Sequence, residues 1–309
     1  KKYFKNVTFL VMIKFLIRYM NTKIVKMIYN PVAGQRHHGR FCKILKLLKE
    51  NFKNLEILET KGKGHAIALA QGLKKNIDLL LIAGGDGTIN EVLNGINNKK
   101  IIIGIIPIGT ANVLANELGI SKNPNHLITT LMQGKIEQLS IGNVNNKKFI
   151  QMAGLGFDAH VVRDVNKSLK NKVGKLAYVY ESVKEIIRHK KIKYEVSVGK
   201  KKYQASSIII ANGHYYGGRF ICAPEASPKD PFLHICIFQH FGRLNCLKYS
   251  LALILGLIPK LKSVKIIKVK NFKVSHPQGE PIQADGDILE SLPAIFSISK
   301  NKLNFLTAN

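Results

Sequence analysis

Apolar positions along the chain fall first into short continuous runs separated by helical spacings, and later into strands joined by short turns. Ile24 to Tyr29 reads as a short strand that runs into the turn Asn30-Pro31-Val32-Ala33-Gly34. Phe41, Ile44, Leu45, Leu47 and Leu48 follow at helical spacing. Leu55 to Glu59 reads as a strand, and after a Gly-containing turn Ile67, Ala70 and Leu73 share one helix face. The unbroken run Leu79 to Ala83 has the character of a buried parallel strand. It ends at Gly84-Gly85 and gives way to a helix carrying Ile89, Val92, Leu93 and Ile96. Ile101 to Ile106 is another buried strand, after which Pro107-Ile108-Gly109-Thr110 turns the chain into a helix stopped by Gly119. This alternation predicts an α/β unit built on a parallel sheet covered on both faces.

Beyond about residue 135 the rhythm changes. Strands are expected over Glu137–Val144, Lys148–Ala153, Lys193–Val198, Tyr203–Ala211 and Leu233–Gln239, with turns at Asn145-Asn146 and Gly199-Lys200. Helices interrupt them around Lys172–His189 and Leu244–Ile258. The expectation is therefore an antiparallel β domain behind the α/β one. The divisions are an extension over 1–19, an α/β domain over 20–135 and a β-rich domain over 136–295, with a segment from about 296–309 returning to the first.

Composition fits such a chain and narrows its partners. Of 309 residues, 46% are hydrophobic and 22% charged, which excludes a disordered or collagen-like chain, and the length fits two domains or one large α/β unit. Lys+Arg number 48 against 19 Asp+Glu, a formal net charge of +29. That excess favours an anionic partner: nucleic acid, an acidic membrane surface or a phosphate-bearing substrate. Only seven of the basic residues are Arg. Base reading relies on Arg and Asn/Gln forks, and no nucleic-acid-binding motif is present, so no nucleic-acid partner is expected. Diffuse attraction to a surface and a compositional drift towards Lys both account for the charge. Cys42, Cys222, Cys236 and Cys246 form no CxxC pair, which points away from a disulfide framework or structural zinc and towards a reducing cytosol.

Residues 3–20 are apolar and aromatic but broken by Lys5, Lys14 and Arg18; the uncharged run Asn6 to Ile13 is too short to span a bilayer. An interfacial anchor and a plain extension both fit. Ser250 to Ile258 is likewise too short to span.

Chemistry concentrates in Gly84-Gly85-Asp86-Gly87-Thr88-Ile89-Asn90, between an apolar strand and an amphipathic helix. Its glycines allow close backbone approach to a ligand, and the helix start favours phosphate. Asp86, expected in a solvent-facing turn, suits Mg²⁺, and Thr88 suits a phosphate oxygen. An ordinary turn with a capping Asp or Thr is the alternative. Neither GxGxxG nor GxxxxGK[ST] occurs there. The turns at Asn30–Gly34 and Pro107–Asn112 repeat the design, and in a parallel sheet all three gather at the strands' carboxyl ends, where ligands bind.

Asn30-Pro31 with Gly34, GGDGTINEVLNG (Gly84–Gly95) and PIGTANVLANELG (Pro107–Gly119) resemble the diacylglycerol kinase catalytic-domain family, in its soluble bacterial lipid kinase branch. The resemblance continues through Gly156-Phe157-Asp158, Asn212-Gly213, Tyr216-Gly217-Gly218, Ala223-Pro224-Glu225-Ala226 and Asp285-Gly286, and covers nearly the whole chain from about residue 24. It implies an ATP- and Mg²⁺-dependent kinase with a nucleotide domain, a β-sandwich domain and an active site between them. By motif position Asn30, Thr60, Gly84 to Asn90 and Thr110 would contact ATP; Thr60 precedes a Gly64-His65-Ala66 turn that has its own plain reading as a helix start.

Asp285 is the candidate general base, taking the proton of a lipid hydroxyl as it attacks the γ-phosphate. Asp-Gly is also the commonest hairpin signal, so a simple β-turn competes. Two residues departing from the family pattern stand nearby in function. Asp287, counted by the resemblance among the cofactor-binding residues and able to reach metal through water, occupies a position where the family usually has Glu, and Pro231 one where it often has Gly. The second lies in a segment matching a further metal site, formed by backbone oxygens near Ser227 and Phe232 and by the Asp230 side chain. The resulting expectation is a lipid kinase acting on a diacylglycerol-like lipid, cytoplasmic and peripherally bound to an acidic membrane surface, with a homodimer left open. NAD kinase, a sphingoid-base kinase, and a nucleotide-binding regulatory protein of weak catalysis are the alternatives.

Overall fold

The computed structural model describes residues 24–35, 38–74, 76–97, 100–165, 176–188 and 191–308. The interfacial anchor considered for residues 3–20 lies outside them. In the first half the chain runs β1 (Val25–Tyr29), α1 (Pro31–Gly34), α2 (His38–Asn51), β2 (Leu55–Glu59), α3 (His65–Gln71), β3 (Leu79–Gly84), α4 (Asp86–Gly95), β4 (Ile102–Pro107), α5 (Val113–Glu117), α6 (Pro124–Gln133) and β5 (Lys135–Leu139). The second half adds β6 (Gly142–Val144), β7 (Lys147–Phe149), β8 (Met152–Leu155), α7 (Phe157–Asp164), α8 (Leu176–Arg188), β9 (Tyr194–Val198), β10 (Lys201–Ala205), β11 (Ser207–Ala211), β12 (Tyr215–Tyr216), β13 (Phe220–Ile221), β14 (Leu233–Phe238) and α9 (Arg243–Ile254). Six strands close the chain: β15 (Val264–Val269), β16 (Asn271–Val274), β17 (Pro281–Ala284), β18 (Asp287–Ser291), β19 (Ala294–Ile298) and β20 (Leu303–Thr307).

The first sheet has the order β2-β1-β3-β4-β20-β5. Its first four strands are parallel, β20 joins parallel to β4, and β5 is antiparallel at the edge. Strand β3 is buried along its whole length, as its unbroken apolar run requires. Helices supply the rest of that core through Phe41, Ile44, Leu48, Val92 and Leu93. Two further six-stranded sheets, β10-β9-β16-β19-β6-β7 and β15-β14-β11-β8-β17-β18, enclose a second core that includes Phe149, Tyr194, Ile235, Phe272 and Phe296. The architecture is thus the expected α/β unit followed by an antiparallel β-sandwich. Helix α9 covers the outer face of the last sheet, where Tyr249 and Ala252 pack against Cys236 and Phe238.

Several expected elements divide, for identifiable reasons. Asn30–Gly34 is a short helix rather than an open turn, because the Asn30 side chain caps it. Glu137–Val144 is two strands in two sheets, broken at Ser140-Ile141. Lys148–Ala153 breaks at Ile150-Gln151, whose N–H groups turn away from a strand ladder towards the Asp285 carboxylate. Tyr203–Ala211 breaks at Ser206, whose hydroxyl donates to Phe238 O and His240 O. An apolar run that passes from one sheet to another keeps its hydrophobic pattern, so periodicity does not reveal the crossing.

Candidate active site

Three turns meet at the carboxyl ends of β1, β3 and β4. Asn30 Oδ1 accepts from the N–H groups of Val32 (3.1 Å) and Ala33 (3.4 Å), and its Nδ2 donates to Thr88 Oγ1 at 2.9 Å. One side chain thereby starts α1 and ties the first turn to the second. A Cβ on Gly84 would lie 2.5 Å from Thr88 Cβ, so glycine there is what lets Thr88 tuck beneath the turn. The third turn is held by a reciprocal pair: Gly109 N–H donates to Asn112 Oδ1 (2.9 Å) and Asn112 Nδ2 donates to Gly109 O (2.8 Å). Thr110 follows, exposed. Thr60 directly follows β2, its N–H bonded to Tyr29 O at 2.8 Å, and is itself buried. Ile89 contributes no side chain to this edge: it is buried in the α/β core and its N–H bonds Gly85 O.

Asp86 is not the solvent-facing residue that a Gly-rich turn suggests. It opens α4, and its Oδ1 accepts the Leu114 N–H at 3.2 Å, so it also caps the start of α5. The residue keeps some exposure, but its carboxylate sits among protein atoms. Burial pushes its pKa up to about 6, backbone bonds at Leu114 and Val113 pull it down, and the nearby Asp285 charge raises it further.

Asp285 lies across the junction between the α/β unit and the sandwich. It is the first of two residues closing the β17–β18 hairpin, with φ +49° at Asp285 and +89° at Gly286, the backbone of a two-residue type I′ turn. The hairpin reading of Asp-Gly therefore holds, and the carboxylate is aimed inward as well. Oδ2 accepts from Asn90 Nδ2 and Ile150 N–H, both at 2.8 Å; Oδ1 accepts from the N–H groups of Gln151 (2.9 Å) and Met152 (3.1 Å). Burial raises its pKa, and these four donors oppose the rise. Asn90 is the link to the GGDGT helix, and its Nδ2 also donates to Lys148 O at 2.9 Å. Asp287 comes to the same edge: its Oδ2 lies 2.9 Å from where a Gly87 Cβ would be, and Lys63 Nζ pairs with its Oδ1 at 3.2 Å.

The family models match both halves of this arrangement. The diacylglycerol kinase catalytic domain matches residues 25–144, and the YegS C-terminal NAD kinase beta sandwich-like domain matches residues 151–307. The chain belongs to the diacylglycerol kinase catalytic-domain family. A "Putative lipid kinase" of Staphylococcus aureus (strain bovine RF122 / ET3-1) is 28% identical over 268 residues, 83% of this chain and 88% of that one. Another "Putative lipid kinase", from Staphylococcus carnosus (strain TM300), is 27% identical over 90% of this chain and 94% of its own length. A crystal structure titled as a "putative diacylglycerol kinase" from Bacillus anthracis str. Sterne superposes with a TM-score of 0.78 at 22% identity, covering 92% of this chain and 95% of that chain, a likeness of fold.

The three turns bring backbone N–H groups and the Asp86 carboxylate to one edge of the sheet, and Asp86 is the side chain there that would hold a divalent cation. Burial is the main reason the Asp86 pKa is raised and the Asp285 charge a lesser one; a divalent cation beside it would favour the ionised carboxylate. The Ser227, Asp230 and Phe232 segment differs. Ser227 O already accepts the Asp230 N–H at 3.0 Å. Asp230 is the segment's only carboxylate, and Lys268 Nζ stands 3.7 Å from it and 4.7 Å from the Phe232 ring centroid. One carboxylate shared with an ammonium does not fit a second divalent ion.

Several contributors escaped the motif reading. Glu91 holds the N–H groups of Gly64 (2.9 Å) and Ala66 (3.2 Å), fixing the α3 start beside Thr60. Arg40 Nη2 reaches Pro107 O at 2.8 Å under the third turn. Asp158 accepts from Tyr216 O–H and from Gln283 Nε2, while Gln283 Oε1 accepts the Gly286 N–H at 3.1 Å, so a buried chain of bonds steadies the turn that presents Asp285. Asp158 and Tyr216 were visible only as separate family markers; the Glu at the second position after GGDGT's Ile89 gave Glu91 a weak signal, and Arg40 gave none.

Asp86→Asn tests the cation role without removing the cap, since Asn still accepts the Leu114 N–H. Mg-nucleotide affinity is expected to fall in the wild type as pH drops below about 6, where Asp86 takes up a proton, and to be weak and free of that fall in the variant. Stability moves the other way. The folded-state pKa is raised from 3.8, so its stabilising contribution is present below that value and lost as pH rises through about 6. Thermal midpoints across pH 4–7 should show that slope reduced in Asp86→Asn; an unchanged slope and unchanged affinity would discard the assignment.

Proposed function

We propose that this chain is an ATP-dependent kinase that phosphorylates a hydroxyl of diacylglycerol or a similar lipid, giving a phosphatidate-like product and ADP. The observation that carries the reading is the Asp285 carboxylate, buried at the junction and joined through Asn90 to the GGDGT helix. Asn30, Thr60, the Gly84–Asn90 loop and Thr110 would frame the nucleotide, Ile89 by its backbone position alone. Mg²⁺ held by Asp86 would offset charge on the phosphates as the terminal P–O bond breaks. The lipid oxygen attacks the γ-phosphorus, ADP departs, and the hydroxyl proton passes to Asp285. All four acceptor positions of that carboxylate are filled by protein donors. Asn90 is the one side chain among them, so a lipid hydroxyl reaches Oδ2 by displacing its amide, which keeps Lys148 O as a partner. The raised pKa of Asp285 suits a group that must accept a proton.

A nucleotide-binding protein of weak turnover is the second reading, favoured by the filled carboxylate and by Asp287, one methylene shorter than the family's usual Glu and paired with Lys63. Labelled ATP offered with Mg²⁺ to a panel of diacylglycerol, sphingosine and NAD separates the readings. Label should enter diacylglycerol and require Mg²⁺; label in NAD or sphingosine would move the acceptor class, and none in any would leave the second reading. Asp287→Glu should preserve or raise turnover if this side chain supports the nucleotide or its metal.

A further inference from the structure

Two neighbouring helices of the sandwich half carry their apolar residues on the outside. On α8 the carboxylates are inward: Glu181 is 6% exposed and Glu185 8%, whereas Val183 is 53% and Ile187 60% exposed, with Val179 and Tyr180 beside them. Glu185 is satisfied inside by His160 Nδ1 at 2.9 Å. A water-facing helix has the opposite sense, apolar in and charged out. Helix α9 packs beside α8 and continues the pattern. Leu244, Leu251, Ile254 and Leu255 are each at least half exposed. A shallow groove of about 400 Å³ runs along α9, and Lys248 is the one charged residue in its lining. Among the described residues no helix is long and apolar enough to cross a membrane.

Charge decides what covers this face. Helix α9 and the turn that follows it carry the exposed cations Arg243, Lys248, Lys260 and Lys262, and from Pro231 to Gly279 the sequence has no Asp or Glu. On α8 Arg188 adds an exposed cation, and Lys184 lies 3.6 Å from the buried Glu181 carboxylate. A second copy docked through the same face would set like charges against each other, whereas an anionic bilayer offers both an apolar interior for the leucines and counter-charge for the rim. We infer that the outer face of α8 and α9 is the surface by which this protein docks on anionic membranes, its leucines entering the interface and its lysines meeting the headgroups. The inference rests on the lipid-kinase reading for its purpose, though not for its geometry.

The test uses the full chain with Leu251→Glu/Leu255→Glu, positions exposed enough to keep the fold. Cosedimentation with phosphatidylglycerol–phosphatidylcholine vesicles should weaken by about tenfold or more, while phosphorylation of dihexanoylglycerol, monomeric in water, stays within about twofold because the docking face is not needed there. Wild-type binding should also drop on phosphatidylcholine alone and at high salt. Vesicle binding by the double variant equal to wild type, or wild-type binding indifferent to anionic lipid, overturns the inference. So does a sedimentation mass that halves in the variant, which would assign the face to a second copy. Variant-sensitive binding to anionic vesicles with no phosphorylation of any diglyceride would sustain the docking face and defeat the kinase reading instead.

Discussion

Asp285→Asn should lower turnover by about 10²–10⁴-fold, the range for losing a positioned general base, while Mg-nucleotide affinity stays near wild type. The backbone gives little reason for such a loss: at φ +49° Asn is as well suited as Asp, so a residue that merely closed the hairpin would tolerate the change. The carboxylate's surroundings make the exchange more than a loss of basicity. Both oxygens now accept two bonds each, and an amide would turn its NH₂ towards two of those donors. Against that cost stands the removal of a buried charge. A net destabilisation of about 1–3 kcal/mol is expected. Asp285→Ala would leave the N–H groups of Ile150, Gln151 and Met152 without that acceptor and should cost more stability than Asn. Rate and thermal midpoint are therefore measured together on both variants. A folded Asp285→Asn enzyme that turns over within a few-fold of wild type would remove the assigned base.

The α/β half was legible because its code is local. A continuous apolar run, a glycine turn and a 3.6-residue spacing each specify one element without reference to the rest, and β1, β3, α4 and β4 sit where those signals place them. The sandwich was legible as a class and not as a wiring. Ser140-Ile141, Ile150-Gln151 and Ser206 are crossing points between sheets, and their reasons are partners distant in sequence: Pro228 O for the Ser140 N–H, the Asp285 carboxylate for Ile150 and Gln151, Phe238 O and His240 O for the Ser206 hydroxyl. The same limit applies at the junction. GGDGT and Asp285-Gly286 announced themselves as turns, but the Asn90–Asp285 bond spans 195 positions, and no local pattern encodes it. Asp86 was misplaced as solvent-facing because its cap partner, Leu114, lies in a different turn.

Gly109→Ala should weaken nucleotide binding by at least about tenfold and lower stability by about 1–3 kcal/mol, the cost of forcing a methyl into a filled space. Strands β3 and β4 are neighbours, and the turns that leave them are in backbone contact. A Cβ on Gly109 would lie 2.4 Å from Gly85 Cα, 3.1 Å from Gly85 N and 2.9 Å from Asn112 Oδ1. None of these is the yielding tip of a long side chain, so the turns must part. Parting them moves Gly85 and Asp86 away from the Pro107–Asn112 turn and strains the Asp86 bond to Leu114. The reverse substitution is milder, because a Cβ on Gly85 meets only Gly109 Cα at 3.2 Å. Gly85→Ala should therefore lose less of both properties, and Gly62→Ala, with nothing within 4 Å, should lose neither. Calorimetric nucleotide binding and thermal midpoints on the three variants give the order Gly109, Gly85, Gly62 if the two turns act as one cradle. Wild-type affinity in a folded Gly109→Ala protein would mean that the nucleotide does not depend on their contact, and the site would have to lie elsewhere along the sheet edge.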